Sequence, residues 1–261
     1  MQSRHAFHLI AEKLQSEGNY LENFLSFAKV TNTQRALIET RTLSSIPTLA
    51  INTLNQESIQ VDIFLKIDHY DACDLTSCQE IINNLANLQV DHVILFDRPN
   101  RQQFWGPQIW VKADLVALFL EKYIPLAEEC LQKGLTPVFP PLQPGGDYWD
   151  TAFLRLSLLR LKEKNATSVL NSLMLSTYCW TYGHTLDWGA GGPECWPSST
   201  PYNTPENSQD QQGFHTYEWY QAHVKAVLDK TVPILLLEAG RSAECGLASS
   251  SLTLENQSAT V

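Results

Sequence analysis

The fold is decided by residues 61–96, which begin with Val61-Asp-Ile-Phe-Leu-Lys-Ile67 and end with Val90-Asp-His-Val-Ile-Leu-Phe96. Both runs are short, apolar and rich in β-branched residues, which is typical of buried strands. The amphipathic stretch between them, from about Asp74 to Leu88, predicts a helix. A strand, a helix and a second strand in this order predict a parallel pair joined by a crossover helix.

The same rhythm continues in both directions along the chain. Five further apolar runs are predicted as strands, namely Ala6–Ile10, Ala36–Glu39, Thr136–Phe139, Leu173–Tyr178 and Val232–Leu237. Helices are predicted between the strands, from about residue 19, over 43–56, over 107–132, over 149–163 and over 214–228. Seven strands that alternate with helices predict an α/β fold of the (β/α)8 TIM-barrel type that lacks its last βα unit.

The length favours a single folded domain. The chain has 261 residues, close to the roughly 250 residues of a (β/α)8 barrel. We predict a barrel domain over residues 1–240. The polar segment over residues 241–261 is interpreted as a truncated barrel end.

The composition limits the classes of partner that the chain is expected to bind. Lys and Arg number 18 against 28 Asp and Glu, and this net charge of -10 disfavours nucleic acid as a partner. No apolar run reaches the roughly 20 residues that span a bilayer, and the N-terminus lacks the apolar core of a signal peptide. We therefore expect a cytoplasmic protein without membrane contact. The cysteines follow no metal-type spacing, so neither a metal nor a cofactor is expected, and the oligomeric state stays open.

Functional side chains of parallel barrels come from the carboxyl ends of the strands, where the βα loops converge. The residues at these positions are acidic, basic or aromatic, namely Glu39, Asp68, Asp97, Arg98, Tyr178 and Glu238. They predict one polar rim with several carboxylates. For Glu39 and Asp68, a structural ion pair is the stronger interpretation, and a contact of Asp68 with the ligand is the alternative.

Aromatic residues concentrate on the predicted loops of the same rim. The stretch 180–213 is long for a loop of a compact domain, and such loops are usually functional or disordered. Flat rings with hydrogen-bonding neighbours suit sugar rings. We therefore predict a carbohydrate ligand, contacted by Trp105, Trp180, His184, Asp187 and Trp188. Packing beneath the loops is the alternative for any one of the tryptophans.

The last predicted strand carries the most specific pattern. Its sequence, Thr231-Val-Pro-Ile-Leu-Leu-Leu-Glu-Ala-Gly240, resembles the strand-seven signature of retaining glycoside hydrolases of the large (β/α)8-barrel clan. The resemblance implies that Glu238 is the catalytic nucleophile. Leu173-Met-Leu-Ser-Thr-Tyr178 resembles the strand-six motif of that clan, which implies a hydrogen bond from Tyr178 to the nucleophile. Where the clan often has a histidine, this chain has Ser176.

The fourth predicted strand departs from the clan. Its end, Phe96-Asp-Arg-Pro-Asn100, resembles the motif Asn-Glu-Pro-Asn, in which the glutamate is the general acid/base. Asp97 takes the asparagine place, Arg98 takes the glutamate place, and Asn100 matches. Arginine cannot relay a proton near neutral pH, and losing general acid catalysis costs on the order of 10²–10⁴-fold in rate. We expect Arg98 and Asn100 to contact the ligand, or Arg98 to pair with Glu238.

Three hypotheses follow. The first is a carbohydrate-active barrel with Glu238 as nucleophile, Tyr178 as its positioner, and Asp97 or Asp68 as the acid. A shift of one residue along a strand, however, normally turns a side chain to the opposite face, which disfavours Asp97. The second is an inactive pseudo-glycosidase that binds a glycan or a protein partner, because of Arg98. The third, a metal-binding acidic rim, is weakest because no histidine cluster accompanies the carboxylates.

Overall fold

Seven strands form one parallel sheet in the order of the chain. The computed structural model describes residues 6–42, 45–111 and 114–240. The strands are β1 (Phe7–Ile10), β2 (Arg35–Thr40), β3 (Gln60–Leu65), β4 (Val90–Leu95), β5 (Thr136–Phe139), β6 (Met174–Trp180) and β7 (Ile234–Gly240). Each strand pairs in parallel with its neighbour in sequence. This order confirms the predicted α/β, TIM-barrel-like fold.

Helices connect the strands. They are α1 (Ala11–Ser16), α2 (Tyr20–Thr31), α3 (Thr48–Gln56), α4 (Leu75–Leu85), α5 (Gln102–Trp110), α6 (Leu115–Gln132), α7 (Asp150–Glu163), α8 (Thr167–Asn171), α9 (Gly192–Cys195) and α10 (Thr216–Leu228). Within the described ranges, none of the helices combines the length and the apolar character that crossing a membrane requires.

Two of the differences from the predicted boundaries bear on the site. The helix expected over 107–132 is two helices, because α5 ends at Trp110 and Asp114 caps a new helix by accepting a hydrogen bond from the Ala117 amide at 3.0 Å. Strand β7 extends to Gly240, so Glu238 lies within the strand and not after it. Residues 241–261 lie outside the described residues, and the domain boundary at 240 stays a prediction.

The alternation of side chains along the strands divides the apolar residues between two clusters. Leu37, Phe64, Ile94 and Val138 pack together inside the barrel, and Met174, Leu235 and Leu237 pack against them. Their neighbours along the strands, among them Ile38, Ile63 and Val93, pack outward against the helices. The central strands are therefore apolar on both faces, as expected for a parallel sheet covered on both sides.

A charged cluster lies at the amino-terminal ends of the strands. Arg35 Nη1 lies 2.9 Å and 2.8 Å from the two carboxylate oxygens of Asp62 and 3.1 Å from His92 Nδ1. Asp62, Asp91 and His92 lie close enough together to hold a metal ion, but the guanidinium of Arg35 already supplies positive charge there. The Asp62 side chain is only 3% exposed, and Arg35 contacts both of its oxygens.

Replacing Arg35 by methionine is expected to lower the free energy of unfolding by about 3 kcal/mol, because the buried carboxylate of Asp62 loses its arginine partner and keeps only the contact with His92 Nδ1 at 2.7 Å. Urea denaturation measures this loss. The double variant Arg35→Met/Asp62→Leu removes both charges and is expected to recover a large part of the stability. A loss below about 1 kcal/mol, the range of exposed ion pairs, would contradict the assigned role.

Candidate functional site

Asp97 points into the barrel because the backbone on both sides of it is left-handed. Phe96 has φ 68° and Arg98 has φ 46°, which non-glycine residues rarely adopt. Ile94 lies inside the barrel, so regular alternation would place Phe96 inside as well. Phe96 instead packs outward against Phe104, and Asp97 takes the inward place. The expectation that the side chain of Asp97 turns away from the rim is therefore wrong.

Asp97 is buried and accepts hydrogen bonds from two sides. Its side chain is 1% exposed, and Arg98 Nε donates to its two oxygens at 3.2 Å and 3.1 Å. From β6, Tyr178 donates to Asp97 Oδ1 at 2.9 Å. Burial, and next the charge of Asp97, raise the pKa of Tyr178 well above its ordinary value, so the phenol remains a donor. The expected hydrogen bond from Tyr178 to Glu238 is wrong, because the single phenolic proton goes to Asp97.

Glu238 is held by Trp180 and is exposed at the rim. Trp180 Nε1 donates to Glu238 Oε2 at 3.0 Å, and the indole stacks on Tyr178 with ring centroids 4.4 Å apart. The pairing of β6 with β7 shifts between Thr177 and Tyr178, so Tyr178 pairs with Glu238 and skips Leu237. Leu237 packs inside the barrel, and this bulge lets Glu238 also reach the Trp180 side of the sheet.

Gln143 and Tyr182 link Arg98 to Trp180. Arg98 Nη1 donates to Gln143 Oε1 at 3.4 Å, and Gln143 Nε2 donates to Tyr182 Oη at 2.8 Å. The ring of Tyr182 meets that of Trp180 edge-on at 6.1 Å. The sequence-based prediction missed Gln143 and Tyr182, although their position on the loops after β5 and β6 is a signal that could have found them. The pairing of Arg98 with Glu238 stays a prediction.

Asn100 and Trp105 support the loops from below. Asn100 Nδ2 donates to the carbonyls of Gln143 and Tyr148, both at 2.9 Å, and Asn100 Oδ1 accepts from the Gln143 amide at 2.8 Å. Trp105 is 2% exposed and donates through Nε1 to the Pro99 carbonyl at 2.7 Å. Both residues therefore have a supporting position, and their predicted ligand contacts stay predictions.

An ion network around Glu39 forms the other half of the rim. The Glu39 carboxylate lies 3.3 Å from His8 Nε2, 3.2 Å from Lys66 Nζ and 3.5 Å from Arg41 Nη2. Burial alone would raise the pKa of Glu39, but the hydrogen bond from His8 and the charge of Lys66 together lower it to about 2. Arg41 also pairs with Asp68 at 2.6 Å. Glu39 and Asp68 are thus partners of cations, in agreement with the ion-pair interpretation.

A pocket of about 270 Å³ opens at this part of the rim. We call it the cationic pocket, because four basic side chains and two carboxylates line it, namely Arg41, Lys66, Arg98, Arg101, Asp68 and Asp97. A larger cavity of about 460 Å³ lies between α10 and the start of β7, where Thr231 and Ile234 line it. It shares no lining residue with the rim, so the smaller pocket is the one that belongs to the site.

The long loop between β6 and α10 is anchored on Asp150, a fully buried residue at the start of α7. Its carboxylate accepts hydrogen bonds from Gln211 Nε2 at 2.6 Å, from Tyr220 Oη at 2.9 Å and from the Gly145 amide at 3.0 Å. Burial raises the pKa of Asp150 to about 6, although these hydrogen bonds act in the opposite direction. Asp150 therefore joins the long loop, the loop after β5 and α10 at one point.

The first part of this loop presents an aromatic pair. The rings of His184 and Trp188 stack with centroids 3.9 Å apart, and Trp188 Nε1 donates to Asp210 at 3.3 Å. His184 and Asp187 are exposed, and Trp188 is half-buried. The hydrogen bond from Thr185 lowers the pKa of Asp187, which favours its ionised form. The predicted ligand contacts of these residues stay predictions.

Comparisons with known proteins add little to this geometry. No protein-family model and no curated protein sequence matches the chain. A D-psicose 3-epimerase solved with D-tagatose, from Clostridium cellulolyticum H10, is 11% identical with a TM-score of 0.46, covering 67% of this chain and 63% of that one. A lysine decarboxylase from Selenomonas ruminantium is 13% identical with a TM-score of 0.33, covering 90% of this chain and 56% of that one. The chain thus spans less than two thirds of the epimerase and of the decarboxylase. Similarity this distant carries no argument about function.

Proposed function

We propose that the rim binds a carbohydrate, and that the chain shares the architecture of glycoside hydrolases while lacking their strand-four acid. The observation that carries the loss of the acid is the environment of Asp97. It is 1% exposed and accepts hydrogen bonds from both Arg98 and Tyr178. A general acid must present a proton to the leaving oxygen of the glycoside. A buried carboxylate that already accepts from these two donors is poorly placed to do so.

Glu238 keeps the properties of a ligand contact. It is exposed at the carboxyl end of the sheet, and Trp180 Nε1 orients it at 3.0 Å. Hydrogen bonds from sugar hydroxyls to an ionised carboxylate are roughly twice as strong as those between neutral groups. The stacked rings of His184 and Trp188 offer a flat surface on the neighbouring loop. Carboxylate and flat apolar faces together suit a sugar ring.

Calorimetric titration of the full chain with a panel of neutral oligosaccharides tests the proposal. We expect at least one of them to bind, and Glu238→Gln to weaken its affinity by about tenfold or more, because a charge-assisted hydrogen bond is lost. Glu163→Gln is the matched control, since it makes the same change on the exposed face of α7. The proposal fails if no sugar binds, neutral or acidic, or if Glu238→Gln and Glu163→Gln bind equally well.

Hydrolysis is a second candidate, favoured by the exposed carboxylate of Glu238 at the end of β7 and by its strand-seven pattern. A panel of aryl glycosides separates the two functions. We expect the wild type to show no more turnover than Glu238→Gln. Turnover that Glu238→Gln abolishes and Asp97→Asn preserves would establish hydrolysis with another acid and overturn the proposal that the rim only binds.

A further inference from the structure

We propose that the cationic pocket binds an oxyanion, a phosphate or a carboxylate group, so that the ligand of this barrel is an acidic carbohydrate. The carbohydrate part rests on the proposed function. The oxyanion part stands on the pocket alone, and the two parts are separated by the experiments below.

The cationic pocket is rich in basic residues, although the chain as a whole is acidic. The protein carries 18 basic and 28 acidic residues, yet four of the basic ones meet at one pocket of about 270 Å³ beside only two carboxylates. Arg41 follows β2, Lys66 follows β3, and Arg98 and Arg101 follow β4. Adjacent parallel strands bring these positions together. A concave site lined mainly by one sign of charge focuses the field on a ligand of the opposite sign.

Two of the three carboxylates around the pocket lie deeper than Arg41 and Lys66. The side chains of Asp97 and Glu39 are 1% and 12% exposed, whereas those of Arg41 and Lys66 are 47% and 20% exposed. The third carboxylate, Asp68, is 39% exposed and pairs with Arg41. Asp97 orients the guanidinium of Arg98, and Glu39 accepts from Lys66 at 3.2 Å. Buried acceptors of this kind hold basic side chains in place and leave positive charge at the surface of the pocket.

Arginine geometry favours an oxyanion over other ligands. A guanidinium presents five N–H donors in a plane, and the contacts of Arg41 with Asp68 and Glu39 use fewer than these. Forked N–H groups bind carboxylate and phosphate oxygens in pairs. Arg98 keeps φ 46°, a conformation that glycine adopts at lower cost, in a position where its side chain lines the pocket.

The size of the pocket suits one charged group of a larger ligand. Its 270 Å³ falls below the roughly 300–1,000 Å³ of sites that enclose a whole small molecule. The contacts from Arg98 through Gln143 and Tyr182 lead directly to Trp180, which holds Glu238. The proposal places a sugar at Glu238 with its acidic substituent in the cationic pocket.

Inorganic phosphate is the first probe. Its binding to the full chain is measured by calorimetry and by the rise in Tm. We expect phosphate to bind, and Arg101→Gln and Arg41→Gln each to weaken its affinity by about tenfold or more. Arg101→Lys keeps the charge and is expected to retain most of the affinity. Lys29→Gln removes the same charge on α2, where Lys29 pairs with Glu57, and is expected to leave the affinity unchanged.

Two results would overturn the oxyanion site. One is equal phosphate affinity in Arg101→Gln and Lys29→Gln. The other is a rise in Tm with sodium chloride as large as that with phosphate at equal ionic strength. Urea denaturation of each variant shows whether it is folded. If Arg41→Gln does not fold, Arg101→Gln carries the test.

Glucose 6-phosphate, glucuronate and glucose form the second set of probes. We expect one of the two acidic sugars to bind at least about tenfold more tightly than glucose, and the better one identifies the oxyanion. Glucose binding as tightly as both acids would overturn the acidic ligand and leave a neutral carbohydrate site intact. Phosphate binding without binding of any sugar would refute the proposed function and retain the oxyanion site.

Discussion

Replacing Asp97 by alanine is expected to lower the free energy of unfolding by about 3–5 kcal/mol, the cost of removing one partner from a buried ion pair. The guanidinium of Arg98, 11% exposed, then loses the carboxylate 3.1 Å from its Nη2. The hydroxyl of Tyr178 also loses its acceptor at 2.9 Å. The left-handed backbone at Phe96 and Arg98 remains, so its strain is no longer balanced by the contacts that it makes possible. Urea denaturation at neutral pH measures the loss.

Two further variants show whether the loss comes from the buried charge. Asp97→Asn keeps an acceptor for Tyr178 and removes the negative charge, so we expect an intermediate loss. Asp97→Leu/Arg98→Met removes both charges and is expected to recover much of the stability of the wild type. A loss in Asp97→Ala below about 1 kcal/mol would place the pair among ordinary exposed ion pairs and remove the structural basis of the proposed function.

Replacing Asp150 by asparagine is expected to alter the pH dependence of stability by about 3 kcal/mol, because its pKa of about 6 exceeds the ordinary 3.8 by about two units. The folded chain therefore binds a proton between about pH 4 and pH 6 that the unfolded chain releases. Binding of this proton stabilises the folded wild type as the pH falls through 6, and the stabilisation is lost as the pH rises through 6. Asparagine does not titrate, and it can accept from Gly145 and Gln211 and donate to Tyr220.

The measurement is the difference in unfolding free energy between the wild type and Asp150→Asn, from urea denaturation at a series of pH values. We expect this difference to rise by about 3 kcal/mol between pH 7.5 and pH 3.5 in favour of the wild type. Asp74→Asn is the control with the opposite sign, because the hydrogen bond from Ser77 lowers the pKa of Asp74. A flat or falling difference for Asp150→Asn would contradict the buried, raised pKa.

The strands were the most predictable part of the fold. Strand β5 was predicted with the bounds that it has, and β3 and β4 begin and end within two residues of their predicted limits. Their residues are apolar on both faces, and this pattern is local. The break between α5 and α6 was missed, although Asp114, a residue type that often caps helices, marks the start of α6 in the sequence. Apolar residues on both sides of the break continued the helical pattern and hid it.

The site was less predictable, because contacts across the barrel depend on distortions of the strands. Strand ends identified Asp97, Arg98, Tyr178 and Glu238 as rim residues. The predicted partner of Tyr178 was wrong. The bulge in β7 brings Glu238 to Trp180, and the left-handed backbone at Phe96 turns Asp97 toward Tyr178. A non-glycine residue with a left-handed backbone has no reliable local signature.

By itself the sequence determined the order of strands and helices, and with it which residues stand at the carboxyl ends of the strands. Hydrophobic periodicity is sufficient for this, because burial of strand faces depends on residues two positions apart. Only the tertiary structure decided which of these side chains meet. Asp97 faces inward to Arg98 and Tyr178, and Arg41 and Lys66 join Arg98 at one pocket. Apart from the contact between the neighbours Asp97 and Arg98, these contacts link residues far apart in the chain, and they depend on backbone geometry that only the assembled barrel imposes.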